Sequence, residues 1–146
     1  MPDNPPTNKD HPTSVLVIDD DDSMTDMIKH ILEPNAFEVM VANSGPEGIN
    51  KTRQHNPEVI ILDLLMPDMD GWEVCKAIRE FGQMPILVIS AISKPGMVAK
   101  ALDEGADDYL LKPVTSNVLI ANVRRLARRA RAEREANDAD LNFLSV

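Results

Sequence analysis

Residues 15–24 read VLVIDDDDSM, and residues 59–63 read VIILD. Both stretches are short apolar runs that end abruptly in aspartate. A run of β-branched residues and leucine with no polar position is typical of a strand buried on both faces, as in a parallel sheet. The two stretches therefore predict buried strands whose carboxyl ends carry acidic side chains.

Apolar runs of the same size recur along the chain. The five runs are Val15 to Ile18, Phe37 to Ala42, Val59 to Leu62, Ile86 to Ile89 and Tyr109 to Leu111. Each is rich in β-branched residues or leucine and is followed by a segment with helical features. Five strands that alternate with five helices predict an α/β fold, with helices on both faces of a parallel sheet. At this length we expect the flavodoxin-like doubly wound sheet with strand order 2-1-3-4-5.

The helical segments carry recognisable start and stop signals. The first has an apolar face that ends before Pro34, and Ser44 begins the second in capping-box spacing with Glu47. The third and fourth are predicted over about 71–80 and 95–104, and the fifth begins near Ser116. Gly105 is a natural C-terminal stop for the fourth helix.

The two ends of the chain differ in composition from its middle. Residues 1–13 hold four prolines among polar residues, which predicts a disordered N-terminal lead. Six arginines lie between residues 124 and 134, opposed only by Glu133. We expect the fifth helix to continue through them to about Ala136. The predicted organisation is a lead over 1–13, one domain over 14–130, and a helix extension with a tail or linker over 131–146.

Composition limits the classes of function. The chain is 43% hydrophobic but only 3% aromatic, so its core must be aliphatic. A net charge of -9 argues against direct nucleic-acid binding by the main domain. No run is apolar enough for a leader or a membrane span, and the single Cys75 cannot form an internal disulfide. A cytoplasmic protein without membrane contact is expected.

Chemically active side chains follow four of the predicted strands at one edge of the sheet. They are Asp19, Asp20, Asp63, Ser90 and Lys112. Carboxylates in place of a glycine-rich cradle would repel a nucleotide phosphate, whereas carboxylate oxygens suit Mg²⁺. A lysine and a hydroxyl beside them would complement a phosphoryl group. Asp21 and Asp22, in contrast, are more typical of the N-terminus of the first helix.

Four motifs in order, VLVIDDDDSM, VIILDLLMPDMDGWEV, ILVISA and GADDYLLKP, resemble those of response-regulator receiver domains over about residues 14–130. The resemblance implies a signalling domain that catalyses only its own phosphorylation and dephosphorylation. It implies that a sensor histidine kinase or a phosphotransfer protein phosphorylates Asp63. It also implies a Mg²⁺ cofactor, with Asp20 as direct ligand, Asp19 acting mainly through water, Asp63 as third acid and the Leu65 backbone carbonyl as a further ligand.

The same resemblance assigns the switch residues. Ser90 becomes the switch hydroxyl, Tyr109 the switch aromatic and Lys112 the phosphate-binding lysine, with a cis bond between Lys112 and Pro113. Because Ser90 and Tyr109 act on one side of the domain, a phosphorylation-dependent homodimer through the fourth helix, fifth strand and fifth helix is expected.

Other interpretations fit parts of the sequence. A phosphohydrolase of the haloacid dehalogenase type also uses an aspartate nucleophile with Mg²⁺, but it needs a second aspartate where this chain has Leu65. A calcium loop around Asp68, Asp70 and Gly71 lacks the ligand ladder and the terminal glutamate. The output stays open between a single-domain regulator and the N-terminal receiver of a longer regulator with an output domain beyond residue 146.

Overall fold

The structure is a computed structural model that describes residues 11–144. Within these residues, strands and α-helices alternate five times. The strands are β1 (Thr13–Ile18), β2 (Phe37–Ala42), β3 (Val59–Leu62), β4 (Ile86–Ser90) and β5 (Asp108–Leu111). The helices are α1 (Asp22–Leu32), α2 (Gly45–His55), α3 (Gly71–Arg79), α4 (Pro95–Asp103) and α5 (Ser116–Leu144). All five predicted strands are present, with bounds that differ by at most two residues.

The sheet is parallel throughout, and its strand order is β2-β1-β3-β4-β5, as predicted. β1 lies between β2 and β3, where Ile18 is opposite both Ala42 and Leu62. The ends of these strands therefore meet at one edge, and the residues that follow them become neighbours.

Two hydrophobic layers enclose the sheet. Val15 and Val17 point to the layer formed with α1 and α5, whereas Leu16 and Ile18 point to the layer that holds α3 and α4. All four side chains are fully buried. Because β1 is covered on both faces, its sequence shows a continuous apolar run instead of an alternation.

Polar side chains start the first two helices. Asp21 is the N-cap of α1, and its carboxylate accepts from the backbone N–H groups of Ser23 at 3.0 Å and Met24 at 3.4 Å. Ser44 caps α2 by accepting from the N–H of Glu47 at 3.2 Å. The Glu47 carboxylate, however, accepts from the Asn43 N–H at 3.0 Å, one residue before the cap. Only half of the predicted capping box is therefore formed.

The fifth helix is longer than predicted. It runs to Leu144 and spans 29 residues, whereas the sequence predicted an end near Ala136. The polar segment after Ala136 contains no proline or glycine, so nothing in it stops a helix that α5 has already started. From Ala132 to Leu141 its side chains are exposed. No helix in the described residues is both long enough and apolar enough to span a membrane.

The predicted N-terminal lead lies mostly outside the described residues. Of residues 1–13, only 11–13 are described, and Thr13 already belongs to β1. The first strand therefore begins one residue before residue 14, the predicted start of the domain.

Gly71 is packed too tightly for a side chain. A Cβ added there would lie 2.6 Å from the Asp63 carbonyl oxygen and 2.6 Å from the Leu64 Cα. Both are backbone atoms that cannot swing away, so Gly71→Ala should lower the free energy of unfolding by about 2 kcal/mol. Gly96→Ala is the matched control, because nothing lies within 4 Å of its added Cβ. The control should be neutral or stabilise α4 by about 0.5 kcal/mol. Urea denaturation of both variants measures the difference, and equal stabilities would contradict the tight packing at Gly71.

Candidate functional site

Three carboxylates meet where β1 and β3 end. Ligand oxygens of Asp19, Asp20 and Asp63 all lie within 4.8 Å of one another. Asp19 and Asp63 are buried, and Asp20 is exposed. The Asp63 N–H donates to the Ile18 carbonyl at 3.0 Å, which extends the pairing of the two strands to the site itself. The sheet therefore fixes the acids side by side, as their positions at strand ends predicted.

Lys112 brings a positive charge to the cluster from the end of β5. Its Nζ lies 3.4 Å from Asp63 Oδ2 and 3.6 Å from Asp19 Oδ2. The Lys112 N–H donates to the Ser90 carbonyl at 2.9 Å, which holds the base of this side chain against β4. The peptide bond between Lys112 and Pro113 is cis, as the resemblance to receiver domains implied.

The pKa of Asp19 is raised by its surroundings. It lies at about 6 instead of 3.8, mainly because the carboxyl group is buried, and the charges of Asp63 and Asp20 also contribute to the rise. The Asp21 N–H, which donates to Asp19 Oδ1 at 3.0 Å, and Lys112 act in the opposite direction. Carrying the negative charge of Asp19 therefore costs free energy in the folded protein.

Ser90 and Tyr109 meet at the backbone of Ile92, in the loop between β4 and α4. Ser90 is fully buried, and its Oγ accepts from the Ile92 N–H at 3.2 Å. The Tyr109 hydroxyl donates to the Ile92 carbonyl at 2.6 Å. The two side chains that the resemblance assigns to the switch are thus joined through the backbone of one residue, Ile92.

Leu65 occupies the loop that follows Asp63. Its N–H donates to Asp63 Oδ1 at 3.3 Å, and its side chain is 55% exposed. Together with Trp72, Ile92 and Met97 it lines a groove of about 450 Å³ between the ends of β3 and β4 and the helices α3 and α4. Through Leu65, this largely apolar groove adjoins the loop that follows Asp63.

Asn43 is a site residue that the sequence interpretation missed. Its side-chain amide donates to the Asp19 carbonyl at 3.2 Å and to Asp22 Oδ1 at 2.9 Å. It follows β2 directly, at the same edge as the acids. The rule that located the other residues, inspection of each strand end, would have found Asn43 had it been applied to β2.

Asp68 and Asp70 do not join the acidic cluster. Asp70 is the N-cap of α3 and accepts from the Glu73 N–H at 2.9 Å, while Asp68 is exposed. Among the described residues, the only cluster of potential metal ligands is that of Asp19, Asp20 and Asp63. The carboxylates of the loop thus serve helix capping and solvation, and a calcium loop is not formed.

Comparison with known proteins gives a consistent picture. Residues 15–124 match the family profile described as the response regulator receiver domain. The transcriptional regulatory protein AfsQ1 of Streptomyces coelicolor is 39% identical over 126 residues, which are 86% of this chain and 55% of that protein. The response regulator MprA of Mycobacterium avium is 36% identical over 130 residues, covering 88% of this chain and 57% of the relative. The chain thus spans a little over half the length of these curated relatives.

Solved structures agree with the sequence comparison. A two-component response regulator from Clostridium difficile superposes with a TM-score of 0.78 at 33% identity, covering 80% of this chain and 97% of that one. A CheY-like receiver domain protein from Methanospirillum hungatei gives a TM-score of 0.79 at 27% identity, over 83% of this chain and 98% of that one. With the strand order, the acidic strand ends and the family match in agreement, the chain belongs to the response regulator receiver domain family of two-component signalling.

Proposed function

We propose that this domain accepts a phosphoryl group on Asp63 from a sensor histidine kinase or a phosphotransfer protein. The observation that carries the proposal is the junction of three carboxylates and Lys112 at the ends of three strands. A structural ion pair would need one acid for one lysine. The surplus of acids suits a site that gains positive charge from a cation and then holds an anion.

Mg²⁺ is the cofactor that the residues fit. Asp19, Asp20 and Asp63 offer only oxygen ligands, the type that Mg²⁺ prefers, and these three carboxylates face a single lysine, Lys112. In the proposal Asp20 and Asp63 are direct ligands, the Leu65 backbone carbonyl is another, and Asp19 acts mainly through water. When bound, the ion neutralises charge on the incoming phosphoryl group.

Asp63 supplies the nucleophile. A carboxylate oxygen attacks the phosphorus of a phosphohistidine, the P–N bond breaks, and the electron pair stays with the imidazole, which takes up a proton. Lys112, already 3.4 Å from Asp63 Oδ2, pairs with the phosphoryl oxygens. Leu65 carries no group that can act as acid or base, which argues against the phosphohydrolase interpretation.

The switch acts through Ile92. In the proposal the Ser90 hydroxyl turns toward a phosphoryl oxygen, which alters its bond with the Ile92 N–H. Tyr109 is bonded to the carbonyl of the same residue. A change at Asp63 therefore alters both contacts of the loop that leads into α4, and so biases one surface between two states.

The surface formed by α4, β5 and α5 is proposed to form a homodimer when Asp63 is phosphorylated. Each element exposes a large apolar side chain, namely Leu102, Leu111 and Val118, which are 45%, 49% and 45% exposed. In the relatives the matched segment is only part of a longer regulator, and one of them is named as a transcriptional regulator. We propose that the domain likewise controls an output module within a cytoplasmic regulator, without itself contacting nucleic acid.

Asp63 should be the only residue that is phosphorylated. Incubation with acetyl phosphate and Mg²⁺ should add one phosphoryl group, and Asp63→Asn should abolish the addition because an amide is not a carboxylate nucleophile. Asp68→Asn is the matched control, since Asp68 is an exposed aspartate of the same loop. Intact-protein mass spectrometry measures the result. Labelling of the Asp63→Asn variant to the wild-type level would refute the assignment.

Mg²⁺ affinity should depend on Asp20. Asp20→Ala removes a proposed direct ligand of Mg²⁺. The affinity for Mg²⁺ should therefore fall at least about tenfold, since loss of a residue that only supports a ligand already costs that much. Asp26→Ala removes an equal charge from the exposed side of α1 and should leave the affinity unchanged. Titrations followed by the fluorescence of Trp72, the sole tryptophan, compare the variants. Equal weakening in both would indicate a general charge effect instead of a ligand.

The aspartyl phosphate should be long-lived for this family. Leu65 and Ile92 line the groove beside the site, and neither side chain can hydrogen-bond the water that attacks the phosphorus. Leu65→Asn combined with Ile92→Glu should shorten the lifetime by about tenfold, or about 1.4 kcal/mol of barrier. Leu102→Asn, an exposed leucine of α4 outside this groove, is the control. The lifetime is measured from the decay of radiolabelled phosphoprotein in acid-quenched samples. A wild-type lifetime as short as that of the double variant would contradict the prediction.

A further inference from the structure

The arginines of α5 fall into two groups. Arg125 pairs with Asp108 at 2.5 Å, Arg129 pairs with Asp107, and Arg131 pairs with Glu58 at 2.9 Å. Arg124, Arg128 and Arg134 form no ion pair with a carboxylate of the described residues. Arg124 reaches only the neutral Asn35 Oδ1, at 3.5 Å. Three positive charges of α5 thus have no ion-pair partner there, in an acidic protein of net charge -9.

Arg124 and Arg128 line one pocket of about 380 Å³. The pocket lies where β1 and β2 begin, between the turn that follows α1 and the middle of α5. Arg131 lines it as well, with its NH2 held by the Thr13 hydroxyl at 2.8 Å. Its described lining contains three arginines and no carboxylate, and Phe37 and Ala127 contribute the apolar part.

The three arginines of the pocket lie on one face of α5, because Arg124, Arg128 and Arg131 stand at i, i+4 and i+7. Like charges at this spacing repel one another, and the chain supplies no acid among the described residues to relieve the repulsion at Arg124 and Arg128. A bound anion would relieve it.

We propose that this pocket is a second ligand site, which binds the phosphate monoester group of a small molecule. A phosphate monoester carries nearly two charges and three acceptor oxygens on one centre, so two planar guanidinium groups can each donate to it. The concave shape with an apolar wall fits a small organic phosphate, since a duplex backbone would need an extended surface. The site is at the opposite edge of the sheet from Asp63, separated by the length of β1, about 17 Å. None of the residues proposed to take part in phosphorylation lines this pocket.

The test uses the full chain without Mg²⁺, as wild type and as Asp63→Asn, with phenyl phosphate, inorganic phosphate and succinate as probes. Phenyl phosphate should shift the backbone amide resonances of Ala36, Phe37 and Ala127 in both proteins, because these residues line the pocket. Succinate should bind more weakly, since its charges lie on two separate centres. Inorganic phosphate should bind at the same amides, with lower affinity because it has no organic part to pack on Phe37. Persistence of the shifts in Asp63→Asn separates this site from the acidic one.

Substitutions decide the assignment. Arg124→Ala combined with Arg128→Ala should weaken phenyl phosphate binding by at least about tenfold. Arg128→Lys keeps the positive charge but removes the paired N–H donors of the planar guanidinium group. It should weaken phenyl phosphate binding by a few-fold and leave the melting temperature unchanged. Arg134→Ala, on the same helix but outside this pocket, should bind like wild type.

Three outcomes would overturn the proposal. One is equal affinity in the double variant and in Arg134→Ala. Another is a set of shifts confined to the surroundings of Asp63 and Lys112. The third is tight binding of a random-sequence DNA duplex while phenyl phosphate fails to bind, which would assign the arginines to a nucleic-acid backbone.

Discussion

Electrostatic repulsion among three carboxylates is the constraint on which the chemistry of this domain depends. Asp19 and Asp63 continue two adjacent strands whose last residues, Ile18 and Leu62, are paired and fully buried. The acids cannot move apart unless the core of the sheet opens. The pKa of Asp19 is raised mainly by its burial and further by the charges of Asp63 and Asp20, which Lys112 offsets only in part. The packing of the core thus maintains a site that is receptive to positive charge.

A second constraint links this site to the surface. The loop between β4 and α4 is attached at Ile92 both to Ser90, on the side of the acids, and to Tyr109, on the side of α4 and β5. Both attachments use backbone groups of Ile92, so they do not depend on the identity of its side chain. In the proposed switch, the path from Ser90 to Tyr109 therefore consists of two hydrogen bonds.

Much of this arrangement could be predicted from sequence because it follows from strand ends. Apolar runs located the strands, and the parallel topology then brought Asp19, Asp20, Asp63, Ser90 and Lys112 to one edge. The contacts of Ile92 could not be predicted, because a backbone N–H and carbonyl leave no trace in the residue type. The end of α5 was also misjudged, because polar residues after Ala136 indicate solvent exposure but do not by themselves terminate a helix. The ion-pair partners of the α5 arginines could not be predicted either, because Asp107, Asp108 and Glu58 are distant from them in sequence.

The length of α5 gives the domain a mechanical property. Arg131 is still held by Glu58 and Thr13, and the helix continues from it to Leu144, a rod of roughly 20 Å at 1.5 Å per residue. A rod anchored at one end magnifies rotation: a tilt of about 10° at Arg131 displaces the far end by about 3 Å. The part of α5 before this rod is tied by Arg125 to Asp108 of β5 and by Arg129 to Asp107, the residue before β5. Small rearrangements of β5 are thus converted into displacements at the tip that are as large as a side chain, and α5 serves as a lever arm.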